Sequence, residues 1–343
     1  GSGIVNNNTI TNTNGNAISV EGRDTYEIIG NKIDGGSGAG IRTAYMKSIT
    51  IRQDTIQNKS GTGIYIRNST GYATSQWKVV SNVIKDNGYY GIEISYASVN
   101  VDSNTISGHD AYGVYVQTNF ESPAADTLRY NTIINNDNYG IRVNEYAGPF
   151  VQYNDLYGHN YDYYNNSTTG NELDARYNFW GATTTAEMNT GSNPKDIAKI
   201  YDKYDNSAKG FVNYGGWLGS SGGDPTSTSY TGVIKLTDSD GTEQLNFPAS
   251  STLYLRVTDA DRNSNSGSAE TIATTIKSDT ETTAESVTLT ETGANTGIFS
   301  GSIAFEVATS FTNGDSKLQV SKGDKLTGTY IDPADDFGNE YTV

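Results

Sequence analysis

Residues 259–265, Asp-Ala-Asp-Arg-Asn-Ser-Asn, put oxygen-bearing side chains at alternate positions, the spacing by which a short loop can wrap a hard cation. The stretch lacks the sixth-position glycine and distal glutamate of an EF-hand, so another loop geometry is expected. Asp332, Asp335, Asp336 and Asn339 form a second acidic cluster, and Asp238 with Asp240 a third in a hairpin turn. Each cluster has a bland alternative, a solvated turn. Several of them at strand ends favour structural Ca2+ bound by at least one.

A second constellation offers recognition chemistry. Arg42, Tyr65, Arg67, Glu93, Tyr115 and Arg142 follow inward aliphatic residues in successive repeats, and strand alternation turns them outward. Stacking rings interspersed with hydrogen-bonding Arg and Glu suit a sugar chain, so these six are the carbohydrate-binding candidates. A solvated polar face is the alternative. No catalytic residue is assigned, because the stripe shows no closely spaced carboxylate pair of the kind a glycoside hydrolase needs.

The elements that must position these groups are repetitive. An Asn or Asp stands two residues before an aliphatic residue at Asn8, Asn31, Asp54, Asn82, Asn104, Asn131 and Asn154, with spacings of 23, 23, 28, 22, 27 and 23 residues. A second aliphatic residue follows the first at a fixed offset of eight, at Ile18, Ile41, Ile64, Ile92, Val114 and Ile141, mostly after Gly. Such a period suits a parallel β-helix with three short strands per coil. The Asn residues are expected to form a ladder at a tight corner, with Gly as a bend residue before the next strand. Tyr90, Tyr112 and Tyr139 precede that Gly on three consecutive coils and should stack. The extra residues of the two long coils, Asn68–Trp77 and Thr118–Asp126, are read as loops from one corner that could wall the stripe. Gly3-Ile4 aligns with Gly40-Ile41, so the chain is expected to open midway through a coil, as a fragment. Head-to-tail self-association, or contact with other surface proteins, would then cover the open strand edge.

The array is expected to close near residues 175–181, Ala-Arg-Tyr-Asn-Phe-Trp-Gly, with a capping helix over Pro194–Tyr204 and Asn193 as its N-cap. The domain reading is thus a β-helix with its cap over 1–218, a Gly/Ser/Thr linker over 219–229, and an acidic domain over 230–343. In that last segment 17 Asp/Glu against 7 Lys/Arg give a net −10 of the chain's −16. About seven short strands, at Gly232–Leu236, Thr252–Val257, Thr271–Ile276, Ser286–Leu289, Gly297–Phe305, Lys317–Gln319 and Leu326–Ile331, suggest an immunoglobulin-like β-sandwich.

Composition removes other classes. The acidic balance argues against nucleic acid, which needs clustered Lys and Arg. Without Cys there are no disulfides or thiolate metal sites, and two histidines, His109 and His159, cannot build a His-rich zinc centre. No apolar run approaches the 18 residues of a membrane span, and no signal-peptide core stands at the start.

The Asn-x-Ile and Gly-Ile coils, with the closing Asn-Phe-Trp-Gly, resemble the right-handed parallel β-helix family of secreted carbohydrate-active and surface proteins. The resemblance implies the fold over about 1–218 and leaves the activity open, since lyases, epimerases, hydrolases and inert stalks share it. Lyases of this kind set a Lys or Arg base beside clustered Ca2+-binding Asp, and here that Asp cluster is missing. Residues 109–113, His-Asp-Ala-Tyr-Gly, resemble an epimerase grouping incompletely, so a polysaccharide lyase or epimerase is the enzymic alternative. Residues 257–263, the run LTETGANTGIFSG at 289–301, Gly323–Leu326 and Tyr330–Pro333 are similar to a domain repeated in archaeal and bacterial surface-layer and adhesin proteins. That similarity implies an extracellular structural module whose metal-site residues would be Asp259, Asp261, Asn263, Glu291 and Asp332. Together the two resemblances imply a secreted or cell-surface protein that is structural or adhesive, with polysaccharide binding as the other reading.

Overall fold

The computed structural model describes residues 1–68, 77–118, 126–248 and 251–343. It divides into two compact units, Gly1–Thr226 and Ser227–Val343. The extra residues expected to form corner loops, 69–76 and 119–125, lie outside the described residues.

In the first unit the repeat becomes three parallel sheets. One runs from Ser2–Asn6 to Phe150–Gln152, one from Thr9–Thr13 to Asp155–Tyr157, and one from Ile18–Glu21 to Tyr161–Ser167 and then Ile200–Tyr201. Equivalent residues of successive coils stand opposite one another, so Ile33, Ile56, Ile84, Ile106, Ile133 and Leu156 make one fully buried column. Each such side chain contributes about 1.5–3 kcal/mol of transfer free energy.

The corner before each column is made by a residue in the left-handed region, among them Ser81, Ser103, Tyr130 and Tyr153, with φ of 56–58°. The next residue is the Asn rung. Asn104 donates its backbone N–H and its Nδ2 to Asn131 Oδ1, both at 2.9 Å, and Asn131 does the same to Asn154. Nδ2 also donates to a carbonyl of the preceding coil, Val79 O from Asn104 and Val101 O from Asn131. The expected ladder is present and reaches one rung further, to Asn178.

Two corner expectations change. Glycine before the third strand, as at Gly113, is required by closeness: a Cβ there would come within 2.6 Å of Gly140 O and Ile133 Cγ2. Its backbone is not left-handed, unlike the true bend residues. Gly3 and Ile4 lie in the first sheet opposite Tyr26 and Glu27, not in the Gly-Ile sheet, and Ile4 is exposed. Residues 2–21 therefore supply a strand to each sheet, and the half coil invoked for head-to-tail association is absent.

The cap differs too. The helix is Gly181–Met188, directly after Trp180, and Pro194–Tyr204 is not helical. Ile200 donates to Ile197 O in a turn and then pairs with Tyr163 as the last strand of the third sheet. A turn into a strand thus produces the three-residue apolar spacing that resembles a helix. Asn193, expected as an N-cap, instead donates Nδ2 to Met188 O and closes the end of the preceding helix.

In the second unit one sheet runs in the order Val233–Thr237, Thr252–Thr258, Ile298–Val307, Glu285–Glu291, Thr271–Lys277, Thr327–Thr329. Lys317–Val320 pairs parallel to Ile298–Val307. The first and last strands of that order approach one another, so the sheet curls around a core that includes Leu255, Val257, Leu289, Phe299 and Tyr330. Every strand position expected from the sequence carries a strand. A separate two-stranded ribbon, Ile331–Asp332 with Tyr341–Thr342, follows.

Candidate metal centre and aromatic face

Asp259 follows the strand Thr252–Thr258, Asp261 comes two residues on, and Asp332 is supplied by the ribbon strand. Folding brings these three carboxylates together, with one oxygen of each within 4.8 Å of the others. Asp259 and Asp332 are buried, and Asp261 is more exposed. Asp332 is oriented by backbone N–H groups, from Gly232 to Oδ2 and from Ala334 to Oδ1, while Tyr330 OH donates to Asp259 Oδ2 at 2.6 Å. Asp259 Oδ1, Asp261 Oδ1 and Asn263 Oδ1 are buried and accept no hydrogen bond. Burial, then the neighbouring Asp261, pushes the Asp259 carboxyl up to about 7, against the opposing Tyr330 hydrogen bond. Acceptors thus accumulate here without donors, the condition a bound cation relieves.

The other expected ligands are occupied elsewhere. Burial raises the Glu291 carboxyl, but N–H donors of Thr296, Gly297 and Glu270 outweigh it and hold the group below its ordinary value. Glu291 therefore closes its own loop. Asp335 accepts from Phe337 and Asn339 N–H in its turn, and Asp336 accepts from Thr231. Asp238 closes its hairpin by accepting from Asp240 and Thr242. Asn263 donates Nδ2 to Asn295, and its Oδ1 is buried without a donor.

On the first unit, Arg42, Tyr65, Glu93, Tyr115 and Arg142 stand opposite one another in a single row of the third sheet, with Arg67 in the adjoining row. The row continues through Tyr164 to Tyr201, which the sequence reading omitted. Beside it Tyr90, Tyr112 and Tyr139 stack as expected, with centroids 4.8 Å apart, and Tyr139, Tyr164 and Tyr201 extend the stack at 4.3 Å. Arg142 lies 5.3–5.9 Å from four of these rings and donates to Tyr112 OH at 2.5 Å. Arg42 pairs with Glu21. Burial pushes the Glu93 carboxyl above its ordinary range, with Ser95 and Arg67 opposing.

The His-Asp-Ala-Tyr grouping does not form a site. His109 is fully buried inside the helix, Asp110 is exposed, and Tyr112 belongs to the outer stack. His109 is instead part of an inner ladder that the sequence reading missed: Asn87 N–H donates to His109 Nδ1, His109 N–H to Asn136 Oδ1, and Asn136 Nδ2 lies 3.1 Å from His159 Nε2. Its signal was a polar residue five positions after each corner residue from Asp54 to Asn154, at Lys59, Asn87, His109, Asn136 and His159.

Residues 1–126 match the family model described as right handed beta helix region, and residues 67–197 match that of periplasmic copper-binding protein (NosD). The first unit is accordingly a right-handed β-helix. No curated protein matches the chain. Among solved structures it is similar to the crystal structure of Dettilon tailspike protein (gp208), at 10% identity over 95% of this chain and 87% of that one, with a TM-score of 0.25. That likeness is too low to bear on function. Among the described residues no helix is long and apolar enough to cross a membrane.

Proposed function

We propose that this chain is an extracellular structural protein of the cell surface, in which a right-handed β-helix accompanies an immunoglobulin-like sandwich stabilised by Ca2+. The observation that carries this reading is the meeting of Asp259, Asp261 and Asp332, with two buried oxygens, Asp259 Oδ1 and Asp261 Oδ1, that have no donor. The matched β-helix and periplasmic families support a location outside the cytoplasm. An adhesive or surface-layer role, with self-association or other surface proteins as partners, follows from the resemblance of the second unit.

Copper, which the second matched family's description names, fits these residues less well. Copper favours nitrogen and sulfur donors. Within the matched segment His159 has both ring nitrogens engaged, by Asp162 and Asn136, and His109 accepts at Nδ1 from the backbone, so a single imidazole nitrogen, the buried Nε2 of His109, is left without a partner. The cluster of Asp259, Asp261 and Asp332 is all oxygen and lies outside that segment. The test is thermal unfolding in Ca2+, Cu2+ and EDTA. Ca2+ is expected to raise the transition of the second unit and EDTA to lower it, since a ligand bound only by the folded state must stabilise it. Identical transitions in Ca2+ and EDTA would remove the cation from this reading.

Polysaccharide recognition is a second reading, favoured by the continuous tyrosine face of the third sheet.

A further inference from the structure

We propose that the outer face of the third sheet is a track for a neutral polysaccharide chain, a ligand class that rests on the second reading above. Half-buried Tyr65, Tyr115, Tyr164 and Tyr201 lie in one row of parallel strands; Tyr164 is sandwiched between Tyr139 and Tyr201 and presents its edge, so the row offers a sugar chiefly the rings of Tyr65 and Tyr115. Neighbouring parallel strands repeat every ~4.8 Å. Such rings take the C–H faces of sugars, being apolar in body and polar at one end.

The flank supplies hydroxyl partners. Tyr115 OH donates to Gln117 Oε1, Gln117 Nε2 to Ser95 Oγ, and Asn166 Nδ2 to Asn144 Oδ1. These groups are half exposed, apart from buried Ser95, and the amides can exchange such bonds for ligand hydroxyls.

Charge selects the class. An acidic glycan needs cations free to clamp carboxylates side-on. Here Arg142 is held among four rings and bonded to Tyr112, Arg42 is paired with Glu21, and exposed Arg67 in the adjoining row is offset by the charge of Glu93. Glu93 sits in the row between Tyr65 and Tyr115, where its carboxylate repels a uronate and accepts from a neutral hydroxyl.

Affinity electrophoresis of the whole chain through gels holding glucan, galactomannan or xylan, and in parallel polygalacturonate or alginate, tests this. Retardation by at least one neutral polymer and none of the polyuronates is expected. Tyr115→Ala should weaken binding at least tenfold at an unchanged melting temperature. Tyr115→Phe, which keeps the ring, should retain binding if the alanine variant fails to fold. Retardation by polyuronates alone would overturn the neutral class while leaving glycan recognition standing. No retardation by any polymer would overturn both.

Discussion

The two units treat the same residue types in opposite ways. In the β-helix, each buried corner Asn from Asn82 to Asn154 finds its partners on neighbouring coils, because at these rungs the repeat sets an amide donor against an amide acceptor. In the second unit, Asp259 and Asp261 meet Asp332 and hold buried oxygens that the fold leaves without donors. A buried polar side chain is structural where the chain completes its bonds, and ligand-seeking where it does not. Amide and carboxylate differ accordingly: an amide can continue a ladder, and an ionised carboxylate can only accept.

The largest expected effect breaks the satisfied side. Asn131→Leu removes the acceptor of two Asn104 donors and leaves the Val101 carbonyl without its amide partner. At about 1–3 kcal/mol per orphaned buried group, the loss should be roughly 4 kcal/mol in urea unfolding. Asn8→Leu, at the exposed end of the same ladder, should cost far less. Equal losses at the two rungs would mean that the ladder does not stabilise the interior.

The unsatisfied side should respond to ligand instead. Ca2+ at a hundred times its dissociation constant is expected to stabilise the second unit by about 2.7 kcal/mol. Asp261→Asn should abolish most of that gain, yet raise stability in EDTA by relieving repulsion of Asp259. Without metal, Asp259 binds its proton more tightly folded, near 7, than unfolded, near 3.9. Its contribution is then fully present below about 3.9 and lost as pH rises through about 7. Bound Ca2+ should flatten that slope, which unfolding in EDTA and Ca2+ across pH 4–8 measures.

The β-helix was legible because its period is written in strong symbols. A fixed offset between two aliphatic residues names two strands of each coil, and the Asn between coils names a corner. The inner ladder escaped because Lys59, Asn87, His109, Asn136 and His159 share only a position, and polar residues between strands read as loop. Gly181–Met188 escaped because its Thr-rich sequence has little apolar period, while the turn at Ile197 and Ile200 imitates one. Asp259 and Asp261 could be paired from their spacing. Asp332 was joined to them only through the resemblance to surface-layer domains, since the pairing spans seventy residues and no local pattern encodes it; that Glu291 and Asp335 serve their own loops was not legible at all.

One rung breaks the rule of its own unit and yields the smallest prediction. Asp54 stands where the other buried rungs hold Asn. Its Oδ1 accepts from Asn31 N–H and Nδ2, but Oδ2 is buried without a partner, and Asn82 Oδ1 receives only the Asp54 backbone N–H. By the register of the coils, an amide at this rung would donate to Asn82 Oδ1 and to the Ile28 carbonyl, as Asn82 does to Asn104 and Ile51. Burial, partly offset by the Asn31 donors, raises the Asp54 pKa, so the folded chain holds this proton more tightly than the unfolded one. The contribution of Asp54 is therefore fully present in acid and falls away as pH rises through its folded pKa. Asp54→Asn supplies a permanent donor, and should stabilise the β-helix by about 1 kcal/mol at neutral pH while gaining little in acid. Urea midpoints of the two chains that stay a constant distance apart from pH 4 to pH 8 would show that the rung carries no titrating proton.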